Sequence, residues 1–524
     1  MIIDARGQVS FDGTSNDGEF SSAAFSTVNS GAVGEGGNIQ ISAETLSVTN
    51  GAQLAASTLG QGDAGNVIID VRGNVSFDNG DAFSTVNSGA VGKGGNIQIS
   101  ADSLSLTNGA QLQALTSGQG DAGKIEIKAS DRVSVSGTSS ITGRSSALFT
   151  STFSDSGIGG DIIINTTNLR ISDGAVLDAR TRNNRNGGNI SLNIRQAEIL
   201  NGGQLLSIST GAGNAGTITV NATDRVIIDG RDRTYNDRAA EFGAAVAPIN
   251  SNSGLFVRSS GTGEAGNINV ISPQIRLDNT GTISAESASG NGGNINLFPK
   301  DLLLLRNGSQ ISATAGTARA GGNGGIITIN APNGFIVAVP SENSDITANA
   351  FEGSGGQIVI NTSGLLGIER RSRLTPQSDI TAFSERGISG DISINQPDVD
   401  QNLGLIELPA VLADVSDIVD TGCGAIASTP DAQGSKFFIT GRGGLPPSPD
   451  QPLSPDVVWS DTRLPETTQR ISPQQTTKSP AKSDVVEINP ATGWVFDGKG
   501  QVTLISHTPN STNVMSTAAS CPQY

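Results

Sequence analysis

Two stretches of this chain say nearly the same thing. "GGNIQISAETLSVTNGAQLAASTLGQGDAGNV" at 36–67 returns as "GGNIQISADSLSLTNGAQLQALTSGQGDAGKI" at 94–125. A GGNI-like phrase recurs along the chain. Its last, apolar position falls at Ile39, Val67, Ile97, Ile125, Ile162, Ile190, Ile218, Ile268, Ile295, Ile327 and Ile358, and a variant, "SGDI", ends at Ile392. Most intervals are about 28 to 32 residues, the range of stacked repeats. Within a unit the apolar residues alternate. Ile39 and Ile41 would face one way, Gln40 and Ser42 the other; Leu46 with Val48 and Leu54 with Ala56 repeat the pattern. A period of two means strands, not helices. Each unit then holds three short strands. Asn50-Gly51, Asn108-Gly109, Asp173-Gly174, Asn201-Gly202 and Asn307-Gly308 mark the second corner, where a positive φ comes cheaply.

A helical solenoid needs a 3.6-residue period, and a propeller blade needs four strands in about 40 to 50 residues. Neither fits. The pattern predicts an all-β fold, a parallel β-helix of about a dozen triangular turns over 1–395, with equivalent strands stacked at about 4.8 Å per turn. A lone turn cannot fold, because its backbone N–H and C=O groups find partners only in the turns above and below. Asn38, Asn66 and Asn96, then Asn189, Asn267 and Asn294, share one position. They either stack as amide ladders or simply tolerate the turn.

Reactive side chains are scarce. The one histidine, His507, lies in the tail, which excludes a Ser-His-Asp triad, a Cys-His pair or a His-ligated metal site in the repeat body. Cys423 and Cys521 are too few for a disulfide framework or a zinc site; in an oxidising compartment they could pair, and two free thiols are the alternative. The outward slots hold mostly Gln, Ser, Thr and Asn, and Glu126 with Lys128 is an isolated charged pair. No catalytic carboxylate cluster emerges, and neither an enzyme nor a cofactor is expected. The net charge of −17 disfavours nucleic acid as a partner. No apolar run is long enough to span a bilayer, and "MIIDARGQVS" lacks the basic start and apolar core of a signal peptide.

Regularity breaks at the unit between Ile125 and Ile162, which is longer than average, and most at the longest, between Ile218 and Ile268, which carries "DGRDRTYNDRAAEFGAAVAPINSNSG" at 229–254. Insertions in solenoids map to surface loops, often on the binding face. Arg231, Arg233, Tyr235 and Arg238 are therefore candidates for a ligand contact, the alternative being a plain solvated excursion. "GQGDAG" at 60–65 and 118–123 reads as a turn and not a calcium site, since the Gly-Asp phrase comes once per turn and lapses after its second copy.

The repeat fades after Ile394. Residues 396–422 read as a linker, 423–463 as a Cys- and Pro-containing segment, and 464–484, rich in Pro, Thr, Ser and Gln, as disordered. Residues 485–524 hold a hairpin around Asp497-Gly498 or Gly498-Lys499-Gly500, then a tail. At the other end, "IIDARGQVSFD" matches "IIDVRGNVSFD" at 68–78, so Met1 falls where a strand is already under way; a fragment, or a chain lacking its front, is expected.

The units, "GGNI", "VTNGAQL" and "AGN" in order, resemble the C-terminal halves of cyanobacterial filamentous-haemagglutinin-like exoproteins. So does the tail phrase "FFITGRGGLPPSPDQPLSPDVVWSD", followed by "GWVFDGKGQVTL". Together they cover nearly the whole chain, and the tail phrase is the more specific. The resemblance implies a right-handed, single-stranded parallel β-helix exported by two-partner secretion through an outer-membrane barrel. It implies an adhesin, haemagglutinin or surface-layer-like protein, secreted or at the cell surface, whose receptor or polysaccharide is unknown. The family's export signal and N-terminal secretion domain, with its Asn-Pro motifs, are not in this sequence, and no catalytic residues carry over. Two readings compete: a polysaccharide lyase or hydrolase on the same rod, and an inert spacer of a larger secreted adhesin or toxin.

Overall fold

The alternation that runs through the sequence becomes a stack of strands whose inward side chains form one continuous core. The computed structural model describes residues 1–15, 21–397, 493–496 and 502–505. The chain divides into two compact units, Met1–Ala410 and Val411–Tyr524. The first is a parallel β-helix. One sheet runs in chain order from Ile2–Asp4 through Ile39–Ala43, Val67–Val71 and Ile97–Thr107 to Asp391–Asn395, and its strands pair in parallel. A second sheet stacks the third leg of each turn, from Ala23–Phe25 to Asp379–Thr381, also in parallel.

Register is set by the core. Ile39 pairs with Val67, Val67 with Ile97, and the column continues without a break through Ile125, Ile162, Ile190, Ile218, Ile268, Ile295, Ile327, Ile358 and Ile392. All are buried. A slip by one residue would turn that column to water, so the pairing is strongly specified. Leu54, Ala82, Leu112, Leu148, Leu177 and Leu205 form the matching column on the second sheet.

One detail differs from the three separate strands read in the sequence. From Ile97 onward the first two legs run together as one bent strand, such as Ile97–Thr107 or Ile162–Ser172. The corner between them is a register shift inside the ladder, for example between Ala101 and Ser103. A bulge bends a strand without breaking the chain's pairing on either side, so this corner needs no loop. The second corner is a true turn. Asn50, Asn108, Asp173, Asn201 and Asn307 take φ of 55°, 54°, 57°, 49° and 49°. Their side chains tie one turn to the next: Asn201 Nδ2 donates to Asp173 Oδ1 at 3.0 Å and Asn307 Nδ2 to Asp278 Oδ1 at 2.7 Å.

The asparagines ahead of the first leg do more than tolerate a turn. The Asn66 N–H donates to Asn38 Oδ1 at 2.8 Å, and its amide donates to the same oxygen at 3.2 Å. The Asn96 N–H reaches Asn66 Oδ1 at 2.8 Å, and the Thr217 N–H reaches Asn189 Oδ1 at 2.8 Å. Asn294 and Asn267 join amide to amide at 3.0 Å. The carbonyls of Asn38, Asn66 and Asn189 each take up a corner N–H that the sheet leaves without a strand partner. Asp63 and Asp121 of the two "GQGDAG" copies do the same, accepting the N–H of Lys93 at 2.7 Å and of Ile158 at 3.0 Å.

At the far end of the β-helix the chain covers its own edge. The two-residue strand Glu369–Arg370 adds a last charged layer to the second sheet, beside Asp379–Thr381. Arg370 Nη1 then donates to the Ile392 carbonyl at 3.1 Å, on the last strand of the first sheet. Short, charged edges of this kind discourage pairing with another molecule.

In the second unit Gly493–Phe496 pairs antiparallel with Val502–Ile505, Trp494 opposite Leu504. The turn expected at 497–500 lies outside the described residues, as do 398–492, Cys423 and Cys521.

Candidate functional site

The inserted loop leaves the β-helix after Thr217–Asp229 and returns at Gly254–Ser259. The rod closes over the gap, with Ile218 pairing directly with Ile268. An antiparallel bridge between Arg231 and Asn252 pinches the loop's base. Its outward arm carries one helix, α1 (Tyr235–Phe242), followed by a short 3-10 turn, Gly243–Ala245.

Arg238, on α1, is buried and ion-paired with Asp232. Its Nε donates to Thr234 Oγ1 at 3.2 Å, and its Nη1 to the Gly143 carbonyl at 3.4 Å, on the loop of an earlier turn. Arg238 therefore anchors the insertion to the rod. Arg231 and Arg233 are exposed, and Tyr235 is half-buried. None of these four sequence-selected residues lines the groove described next.

The return arm lies across the outer face of the second sheet. Ala247 and Ile249 pack on Ala147, Val176, Leu206, Ile208 and Phe256, an apolar patch spread over successive turns. Gln204 holds the arm down. Its Nε2 donates to the carbonyls of Asn250 at 2.9 Å and Asn252 at 2.8 Å, while its Oε1 accepts the Ile249 N–H at 3.0 Å. A buried amide with its bonds met is a specific clamp.

Where residues Ala244–Ala247 pass over the sheet, they wall a groove of about 280 Å³. Three arginines face it, Arg144 from one loop and Arg180 and Arg182 from one segment of the next turn. Arg144 Nη2 binds both carboxylate oxygens of Asp81 at 3.0 Å and Gln111 Oε1 at 2.7 Å. Arg180 Nη2 pairs with Asp178 at 3.1 Å and donates to the Ala247 carbonyl at 3.3 Å. Arg182 makes no salt bridge among the described residues, Asp178 acting on it from farther off; its guanidinium lies 4.5 Å from the centre of the Phe153 ring. Phe153 is 38% exposed, and Phe149 stands beside it in the wall.

Burial sets the protonation chemistry here. It pushes the carboxyls of Asp81 and Asp178 above the usual Asp range, against the pull of Arg144 and Arg180. Partial burial, then repulsion from Arg180, lowers the Arg182 guanidinium below the usual arginine value, against the pull of Asp178. Both aspartates are occupied in ion pairs, which makes them holders of arginines. What the groove offers outward is a cation, two aromatic faces and amide groups.

Sequence reasoning picked the insertion but not these residues. The signal was "DARTRNNR" at 178–185, three arginines within eight residues of an otherwise acidic chain. On the first sheet's outer face Lys128 and Glu126 pair at 2.8 Å. Among the described residues, no group of three or more His, Cys, Asp or Glu is placed to hold a metal ion, and no helix is long and apolar enough to cross a membrane. Comparison with protein-family models, with curated proteins and with solved structures finds no match.

Proposed function

We propose that the chain is a non-catalytic structural or adhesive exoprotein: a stiff β-helical rod that carries loops at a cell surface or outside the cell. In this reading it is the C-terminal portion of a filamentous-haemagglutinin-like protein, exported in full-length form by two-partner secretion through an outer-membrane barrel. The observation that carries the reading is the unbroken, in-register core from Ile39 to Ile392, whose repeated geometry serves stacking, while the long insertion 231–252 leaves that column intact. Such a fold stays extended when unfolded in transit and gains its partners turn by turn. The scarcity of cysteine fits that route.

A deletion strain tests it. Loss of adhesion or of cell aggregation, restored by the full-length gene, is the expected result. A strain that adheres and aggregates like its parent contradicts the reading and leaves the inert spacer.

One observation favours the competing reading of a polysaccharide lyase or hydrolase, namely the groove with Asp178 among arginines. Such enzymes need a free acid or base within reach of the substrate. Asp178 is buried and tied to Arg180, the Arg180 N–H and Ser151. Incubation of the purified protein with acidic polysaccharides separates the two: sustained release of reducing ends or unsaturated products favours the enzyme.

A further inference from the structure

We infer that the groove beneath the inserted loop binds an acidic polysaccharide in which uronate units are separated by neutral sugars. The inference deepens the adhesive reading and rests on it for its biological setting, but the binding itself is a property of the purified chain.

Charge comes first. Two of the groove's arginines are paired with Asp81 and Asp178, while Arg182 is exposed and makes no salt bridge among the described residues. Three arginines against the carboxylates of Asp81 and Asp178 leave one positive charge in excess at the groove of a chain whose net charge is −17. All the side-chain hydrogen bonds of Arg144 and Arg180 leave from Nη2, which keeps Nη1 of each without a partner among the described residues. A single carboxylate matches this donor set, and a guanidinium recognises a carboxylate through paired N–H groups.

Shape comes second. Phe153 also lines a second, wider hollow of about 640 Å³, with Gly89, Ala90, Gln119 and Asp155. This hollow is polar, holds no cation, and carries the carboxylate of Asp155. A linear ligand lying across Phe153 would thus meet a cation on one side and a neutral-to-acidic surface on the other. A chain charged at every unit is repelled at Asp155. A nucleic acid, with a phosphate at every step, is disfavoured for the same reason. A sugar chain with spaced carboxylates satisfies both halves, its ring faces resting on Phe153 and Phe149 and its hydroxyls on Gln113 and Gln119.

Calorimetric titration of the full chain with three probes tests this: hyaluronan oligosaccharides, which alternate uronate and neutral sugar; dextran oligosaccharides, which are neutral; and poly-L-glutamate, a polyanion without sugar. Binding to the hyaluronan fragment alone is expected. Arg182→Gln and Phe153→Ala should each weaken it about 10-fold, the loss typical of one charged hydrogen-bonding group or one stacking face, while Arg233→Gln on the exposed arm leaves it unchanged. Arg182 makes no salt bridge or side-chain hydrogen bond among the described residues and loses only its contact with the Phe153 ring, so its variant should melt within a few degrees of the wild type, and it carries the test should Phe153→Ala fold poorly. No binding to the hyaluronan fragment at millimolar concentration overturns the proposal. So does equal binding of poly-L-glutamate or dextran, or binding indifferent to Arg182→Gln. Any of these leaves the adhesive reading standing, because the deletion strain decides that separately.

Discussion

Gly188 shows why one small residue returns in every turn. A Cβ built there would meet the Gly160 carbonyl one turn below, well inside the 3.0 Å that real Cβ atoms keep. Gly216 meets Gly188 in the same way, and Gly160 meets Gly123. The column of glycines is the place where the backbones of successive turns touch. Gly188→Ala should therefore destabilise its neighbourhood by about 1–3 kcal/mol, the usual cost of overpacking. Gly7→Ala, with nothing within 4 Å, should change stability by less than about 0.5 kcal/mol. Urea melts of the two variants check this. Asp345 offers a pH test at the same scale. Burial, then the neighbouring Asp379, pushes its carboxyl above the usual range, while the Asp379 N–H, donating at 2.9 Å, pulls it down. Arg371 pairs with Asp379, not with Asp345. A raised folded pKa means that the native state binds more protons than the unfolded one. Stability from this group is then present below the unfolded pKa of 3.8 and falls as pH rises through the folded value. Asp345→Asn keeps the acceptor and removes the charge. It should be more stable than wild type at pH 7, and the gain should vanish near pH 3 in paired urea melts.

The inserted element is held by few groups, and each has a distinct job. Arg238→Ala leaves Asp232 buried without its cation, a change that costs about 3–5 kcal/mol in a closed site. Because the rod pairs Ile218 with Ile268 independently of the loop, the loss should stay local. Hydrogen exchange should quicken over 231–252 and stay slow in Thr217–Asp229 and Asn267–Asp278. This element also marks where the sequence stops being readable. Its length announced an excursion, and "YNDRAAEF" is short enough to be settled by what it packs on. The path it takes is written in Ala147, Val176, Leu206 and Phe256, apolar residues on outward slots of four different turns. They stand out only once the register is known. The groove is harder still. Arg144, Phe153, Arg182 and Ala247 come from separate loops and turns, and nothing in linear spacing says that they meet.

At the scale of the β-helical unit the opposite holds. Equivalent residues must recur because each sits on its copy, so the Ile39-to-Ile392 column, the Asn-Gly corners and the parallel stacking could be read directly. The merger of the first two legs could not, since a bulge within a strand and a tight corner between strands share the same alternation on either side. Thirteen strands follow one another along the first sheet, which at about 4.8 Å each makes a rod of about 60 Å. Stability in such an array is a sum of nearest-neighbour terms. Distance along it should therefore depend on the number of turns and not on the number of residues. Paired spin labels measure this directly, on a chain with Cys423 and Cys521 replaced by serine. Gln98, Asn269 and Thr328 lie in one outward column, five and seven layers apart, and the step from Thr219 to Asn269 spans the whole insertion. Labels at 98 and 269 should peak near about 24 Å, and at 98 and 328 near about 34 Å. A 98-to-269 separation lengthened by the inserted residues, or a broad distribution without a peak, would contradict the account.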